Sequence, residues 1–235
     1  MKAKKSFSLF GVLIIMISTV VFIAACTQAN GNTGNTGNTG NTGNTGSNNS
    51  AGKVVQVVPT GEADPALKGT EWNSGKRGLS FSEKGNTAWI ETCGAAIYKK
   101  EGTKISFDLS AQISIYKTMT KDNYIKMIKA SKKEWIAKLK KRKEKAESDE
   151  EKAKLEKDIK EAEKVLQQLD NPDEETQARI KEGIEFLKKR GAALEPYKTF
   201  EGTLTGDNEL VIEKLPVCDN ENKVTIVNIT LKKKG

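Results

Sequence analysis

Residues 121–190 constrain the fold more than any other segment, because they are highly charged, contain few Gly or Pro residues and repeat at helical spacing. Apolar residues recur at intervals of three and four, which is the a/d pattern of packed helices. One stripe consists of Leu155, Ile159, Ala162, Leu166 and Leu169. An earlier stripe consists of Ile125, Ile128, Trp135 and Leu139. The block therefore predicts two or three antiparallel helices in a hairpin or small bundle.

Local signals predict boundaries inside this block. The Ser-Asp-Glu-Glu run at 148–151 has the form of a capping box, so a helix can begin there. Asn171 and Pro172 predict another helix start, with Asn as N-cap and Pro in the first position. Gly191 predicts the end of that helix. Apolar residues are sparse around the first boundary, so one helix over 121–169, about 75 Å long, remains an alternative.

Segments with strand character flank the block on both sides. Before it, strands are expected at 54–58, 69–72, 79–82, 87–91, 95–98, 105–109 and 113–116. After it, they are expected at 199–204, 210–212 and 224–231. Gly-containing turns between them favour sequential hairpins. The prediction is an α+β fold, an antiparallel β-meander or small barrel of about 8–9 strands with an inserted, charged helical hairpin or three-helix segment.

The N-terminus has the order of a secretory signal, in which a charged region precedes an apolar region and small residues. Three lysines within the first five residues precede Phe7–Ile23, which carries no charge. An uncleaved transmembrane helix is the alternative interpretation, although the run is slightly short for a comfortable span. The residues Ile-Ala-Ala-Cys at 23–26 resemble the lipobox of bacterial lipoproteins. That resemblance implies cleavage after Ala25, lipidation of Cys26 and a place in the cell envelope. By resemblance to the sorting of enterobacterial lipoproteins, Thr27 in place of Asp after the cysteine implies the outer membrane.

The domain boundaries follow from these patterns. Residues 1–25 are expected to be the signal peptide, and residues 26–52 a lipidated Cys with a flexible Asn-Thr-Gly repeat tether. The β domain is expected at 53–118 and 197–235, and the helical insert at 119–196.

The strand expected at 69–72 carries a second resemblance. Gly69-Thr70-Glu71-Trp72, followed by Leu79–Phe81 and the meander, resembles the start of bacterial lipocalin-like or META-type small barrels. It implies a barrel and carries no functional implication.

Cysteine and histidine content limits the chemistry. The chain has three cysteines and no histidine, which excludes His bases, His triads and His metal ligands. With Cys26 assigned to lipid, Cys93 and Cys218 are predicted to form a disulfide in an oxidising envelope. Two reduced, buried thiols are the alternative. No cofactor and no metal is expected.

Basic residues concentrate early in the helical block. Between residues 126 and 145, ten Lys or Arg residues face two Glu residues. The densest part consists of Lys138, Lys140, Lys141, Arg142, Lys143 and Lys145. Complementary faces of adjacent helices explain this pattern, and a patch for an anionic partner is the functional alternative. Nucleic acid is not expected as a partner, because the patch lacks interleaved aromatic residues. Trp135 and Tyr124 are candidate anchors for a docked protein, or part of the helix–helix core.

The sequence favours a non-enzymatic, lipid-anchored envelope or surface protein that binds a partner protein or a host or envelope component. One alternative is a carrier of a small hydrophobic ligand, bound in a barrel cavity. That cavity would be lined by Trp72, Phe81, Trp89, Phe107 and Ile226. The other alternative is a hydrolase that uses paired carboxylates, which fold rather than spacing would bring together.

Overall fold

A computed structural model describes residues 55–75 and 77–235 of the chain. The expected signal peptide, Ala25, Cys26 and the Asn-Thr-Gly tether lie outside the described residues. None of the helices in the described ranges is both long enough and apolar enough to cross a membrane.

Eight antiparallel strands form a closed barrel in chain order. They are β1 (Glu71–Asn73), β2 (Gly78–Phe81), β3 (Thr87–Ile90), β4 (Gly94–Glu101), β5 (Lys104–Asp108), β6 (Thr199–Leu204), β7 (Glu209–Cys218) and β8 (Val224–Lys233). β5 pairs with β6 although 90 residues separate them, from 109 to 198. The α+β prediction of a small barrel with an insertion is therefore confirmed.

Alternation along the strands decides which side chains fill the barrel. Cross-strand partners share a face, and the register joins Trp72 to Leu79 and Leu79 to Ile90. These three side chains are at most 3% exposed. Phe81 and Ala88 form the next inward pair along the strands. The interior of the barrel is thus packed with large apolar side chains.

Four helices follow β5. They are α1 (Ser110–Lys117), α2 (Lys121–Lys145), α3 (Asp149–Asp170) and α4 (Glu174–Leu194), and a short 3-10 turn (Glu195–Tyr197) leads into β6. The break between α2 and α3 excludes the single long helix. The Ser148 hydroxyl accepts a hydrogen bond from the Glu151 N–H at 3.2 Å, so the predicted helix start is confirmed.

The start and the end of α4 both differ from the prediction. The N-cap of α4 is Asp173, whose carboxylate accepts from the Thr176 N–H at 2.8 Å, and Asn171 instead ends α3. Gly191 does not end α4, because the helix continues to Leu194. A Cβ at Gly191 would lie 3.0 Å from Tyr116 Cβ, so this glycine permits α4 to cross α1 closely.

Two of the expected strands do not form. Residues 113–116, predicted as a strand from their alternation, lie in α1, where Ile113 and Tyr116 bury one helical face. The Asp108 carboxylate accepts from the Ser110 N–H at 2.8 Å and so turns the chain out of β5. Residues 55–58 carry no strand pairing, although Val57 is buried.

The two ends of the barrel are covered by different segments. At the end that holds the β2–β3 turn, residues 55–69 form a strap. Both Thr60 and Gly61 donate their N–H to the Asn86 side chain at 2.9 Å, and Leu67 is 1% exposed. At the other end, α1 packs against β4, where Gln112 accepts from the Ala95 N–H at 3.1 Å. The strap and the helical insert therefore lie at opposite ends of the barrel.

Candidate functional site

Most of the helical insert shares the core of the barrel, but its outer part has a core of its own. Residues 133–145 of α2 and 149–166 of α3 are called the distal hairpin here. Its buried cluster consists of Ile136, Leu139, Leu155, Ile159 and Ala162. These side chains come from α2 and α3 alone. The distal hairpin is therefore a two-helix projection with a buried cluster of its own, and Val165 joins its inner end to the main core.

Ion pairs line one edge of α2 and α3. Lys140 lies 3.2 Å from Glu163, and the ammonium of Lys143 contacts the carboxylate of Glu156. Closer to the barrel, Lys129 lies 2.5 Å from Asp170. All of these pairs are partly exposed, so each contributes little to the stability of the fold. Their main effect is to fix the register of α2 against α3.

The six residues of the predicted basic patch have different surroundings. Besides the pairs of Lys140 and Lys143, Arg142 lies 4.0 Å from Glu151, and Lys138 lies 3.2 Å from Glu134. Lys141 and Lys145 are exposed and have no carboxylate partner within the described part of the chain. Complementary helix faces thus account for three of the six cations, and a pair within α2 accounts for Lys138.

Trp135, a candidate anchor, is half-buried against the cluster of the distal hairpin. The Lys132 ammonium lies 4.7 Å from the centre of its ring, which is a cation–π distance. Burial lowers the pKa of Lys132. Tyr124, the other candidate, is 4% exposed and belongs to the main core, where burial raises its pKa to about 12. Trp135 therefore keeps an accessible aromatic surface and Tyr124 does not.

The five residues of the predicted ligand cavity do not share one face. Phe107 stacks on Phe200 with a centroid separation of 5.0 Å and lies 6.2 Å from Phe81, so these rings fill the interior with Trp72. Trp89 lies on the other face of β3 from Ala88 and Ile90, because successive strand residues alternate.

Ile226, also predicted to line the cavity, lies on the outer surface of the barrel. It is 39% exposed on the outside of β8. The neighbouring inward positions, Val227 and Ile229, pack against the main core. Trp89 and Ile226 therefore do not line the barrel interior.

Cys93 and Cys218 carry free thiols, so the predicted disulfide is not present in the structure. The Cys93 thiol donates to the Pro216 carbonyl at 2.8 Å, which directs it at the β7 backbone. Burial raises the pKa of Cys93 to about 12 and also raises the pKa of Cys218. Since the thiolate is the reactive form, Cys93 is chemically inert near neutral pH.

An arginine that the sequence did not single out joins the insert to the barrel. The Arg190 guanidinium donates to the carbonyl oxygens of Thr92 at 2.7 Å and Cys218 at 3.3 Å. These bonds tie α4 to the turn after β3 and to the end of β7. The sequence offers no signal for them, because a guanidinium near the end of a helix is usually solvated.

The arrangement is consistent with a non-enzymatic binding role. Among the described residues, no group of three or more His, Cys, Asp or Glu side chains could hold a metal ion. Comparison of the chain with protein-family models, curated proteins and solved structures finds no match.

Proposed function

We propose that this protein is a lipid-anchored envelope protein without catalytic activity, which binds a partner protein through the distal hairpin. The proposal combines the lipobox-like motif that ends at Cys26 with the projection formed by α2 and α3. The observation that carries it is the separate buried cluster of the distal hairpin. This cluster buries apolar side chains of α2 and α3 against each other and apart from the barrel core, and binding a partner is the role that such a projection fits best.

The position of the insert supports this role. The strap lies at one end of the barrel and the insert at the other, so a chain anchored through its N-terminus would present the distal hairpin away from the anchor. The half-exposed Trp135 ring gives that surface an aromatic group of the kind enriched in protein interfaces, and the exposed lysines would attract an anionic partner.

A matched pair of charge-reversal variants tests the proposal. The first variant carries Lys133→Glu, Lys141→Glu and Lys145→Glu, at exposed positions of the distal hairpin. The control carries Lys181→Glu, Lys188→Glu and Lys189→Glu, at exposed positions of α4. Both change the net charge equally, so non-specific electrostatic effects cancel in the comparison.

The measurement is a crosslinking pull-down from intact cells with the full chain. We expect the hairpin variant to lose its partner and the α4 control to retain it. Equal recovery of the same partner with both variants would refute the role of the hairpin. Mass spectrometry of the mature N-terminus tests the anchor separately, because an unmodified Met1 with an intact Cys26 thiol would contradict it.

A further inference from the structure

Strand β8 is paired along its full length on one side and almost unpaired on the other. β7 pairs with β8 from Val224 to Lys232. On the opposite side, β1 pairs with β8 through Lys232 and Lys233 alone, because β1 is three residues long. The barrel is therefore closed at one end of this seam, and Val224–Leu231 is left as an open edge about 27 Å long.

The direction of the backbone N–H and C=O groups of β8 follows from the hydrogen bonds of Pro216 on β7. The Pro216 carbonyl accepts from Cys93 at 2.8 Å and from Thr92 at 3.3 Å, so it points away from β8. Its cross-strand partner Ile226 consequently directs its own N–H and C=O away from β7, toward the open edge.

The outward direction recurs at every second residue of β8. Val224, Asn228 and Thr230 therefore share it with Ile226. None of these four N–H groups has a hydrogen-bond partner within the described ranges. The edge thus offers a regular row of donors and acceptors.

The residues of this edge make it unusual for a solvated strand. Val224–Leu231 is rich in β-branched residues and contains no charge, no Pro and no Gly. Natural proteins normally blunt an exposed edge with charges, Pro or a bulge, since an unblocked edge templates further pairing. The bulge in this region lies in β7, between Ile212 and Leu215, on the paired side of β8.

Charge argues against a second copy of this chain as the occupant. Antiparallel pairing of two copies through their outward residues would place Val224 of one copy opposite Thr230 of the other. Lys223 of each copy would then lie beside Lys232 of the other, and like charges close together repel each other. Lys232 is exposed, and its neighbour Glu209 instead accepts from the Thr205 hydroxyl at 3.1 Å. Lys233 lies next to it, over the ring of Trp72.

We propose that the open edge of β8 binds an extended segment of another protein by β-augmentation, and that this segment has an apolar, β-branched centre with carboxylates beside Lys232. Main-chain hydrogen bonds to alternate residues of β8 would hold the segment, and the lysines would select its charge. This surface is distinct from the distal hairpin, so the proposal does not depend on whether the distal hairpin binds a partner.

Synthetic peptides and the full chain test the proposal. The probe has an alternating Val-Thr centre flanked by Asp residues, and the control peptide has the same centre flanked by Lys. We expect the Asp-flanked peptide to bind at least about tenfold more tightly, with an affinity that falls as salt is added. Amide hydrogen exchange should show new protection at Val224, Ile226, Asn228 and Thr230.

Two variants at one position separate backbone pairing from side-chain effects. Ile226→Pro removes an outward N–H without removing a bond to β7, and Ile226→Thr retains that N–H with a β-branched side chain. We expect the Pro variant to lose at least about tenfold in affinity and the Thr variant to bind like the native chain. Lys232→Glu should reverse the preference between the two peptides, which gives a readout that does not need the Pro variant to fold.

Three results would overturn the proposal. One is protection of the four outward amides in the peptide-free protein, which would mean that another part of this chain or a second copy already covers the edge. The others are equal binding of the two peptides and unchanged binding by a folded Ile226→Pro variant.

Discussion

The barrel and the distal hairpin bury apolar residues in different ways. In the barrel, rings such as Phe107 and Phe200 stack inside a closed sheet whose ends are covered by the strap and by α1. In the distal hairpin, a small aliphatic cluster lies between two helices and is flanked by partly exposed ion pairs. A side chain inside the barrel packs against several strands, whereas a side chain of the hairpin cluster packs against one partner helix.

One chain thus combines a closed barrel with a projection that we expect to have lower local stability. A region with few buried apolar contacts opens at a lower free energy than the core to which it is attached. The following predictions test whether the barrel and the distal hairpin respond separately, beginning with the largest effect.

Phe107→Ala should destabilise the whole protein by about 3–5 kcal/mol, since it removes a ring that is 1% exposed and stacked on Phe200. Chemical denaturation followed by tryptophan fluorescence measures this change. Tyr197→Ala, at a position that is 37% exposed, is the control and should have little effect. A loss below about 1 kcal/mol for Phe107→Ala would show that the barrel interior is loosely packed.

Ile159→Ala should cost about 2 kcal/mol, and the cost should fall on the distal hairpin, because a two-helix cluster relaxes around a cavity more easily than a barrel does. Ile159 is 4% exposed in that cluster. Hydrogen exchange should show faster exchange for α3 amides and unchanged exchange for β4 and β5. Equal acceleration in both regions would mean that barrel and hairpin open as one unit.

Alkaline pH should lower the free energy of unfolding of the protein through Cys93, by about 1 kcal/mol at pH 10. Burial raises the pKa of Cys93 from 9.0 to about 12, so the unfolded state loses its proton first. The contribution of Cys93 to stability is therefore constant below about pH 9 and is lost as pH rises toward 12. Denaturation at several pH values measures the slope, and Cys93→Ala should reduce it. An unchanged slope in that variant would assign the alkaline loss to other groups, such as Tyr116, whose pKa is also raised to about 12 by burial.

Lys140→Gln should change stability least, by at most about 0.5 kcal/mol, because its pair with Glu163 is half-exposed. Lys164→Gln, at an exposed lysine of α3, is the matched control. Hydrogen exchange of the distal hairpin at low and high salt would reveal the difference. A much larger effect would indicate that the ion pairs, rather than the apolar cluster, hold the hairpin together.

Local patterns predicted the parts of the fold that depend on local physics. Alternation located β2 and β5, and the capping box at Ser148 located the start of α3. Alternation failed at 113–116, because Ile113 and Tyr116 also fit a helical face and packing against α4 decided between the two. The prediction that Gly191 ends a helix was wrong for a related reason. This glycine is required where α4 crosses α1 closely, and α4 continues beyond it.

The composition of the candidate site was predictable, but its pairing was not. The sequence shows a cluster of cations, yet only the register of α2 against α3 reveals that Lys140 and Lys143 face Glu163 and Glu156. The open edge of β8 was likewise hidden, because it results from the shortness of β1, and strand length is a property of pairing rather than of one segment.

The strap has a mechanical consequence. Asp64 accepts from Lys100 at 3.4 Å and donates its N–H to the Tyr98 hydroxyl at 2.9 Å, while Asn86 holds the residues before it. A pull on the chain at Val55 would load these few side-chain bonds before it reached any strand. The strap would yield first, so tension would uncover one end of the barrel while the eight strands and the helical insert stayed intact.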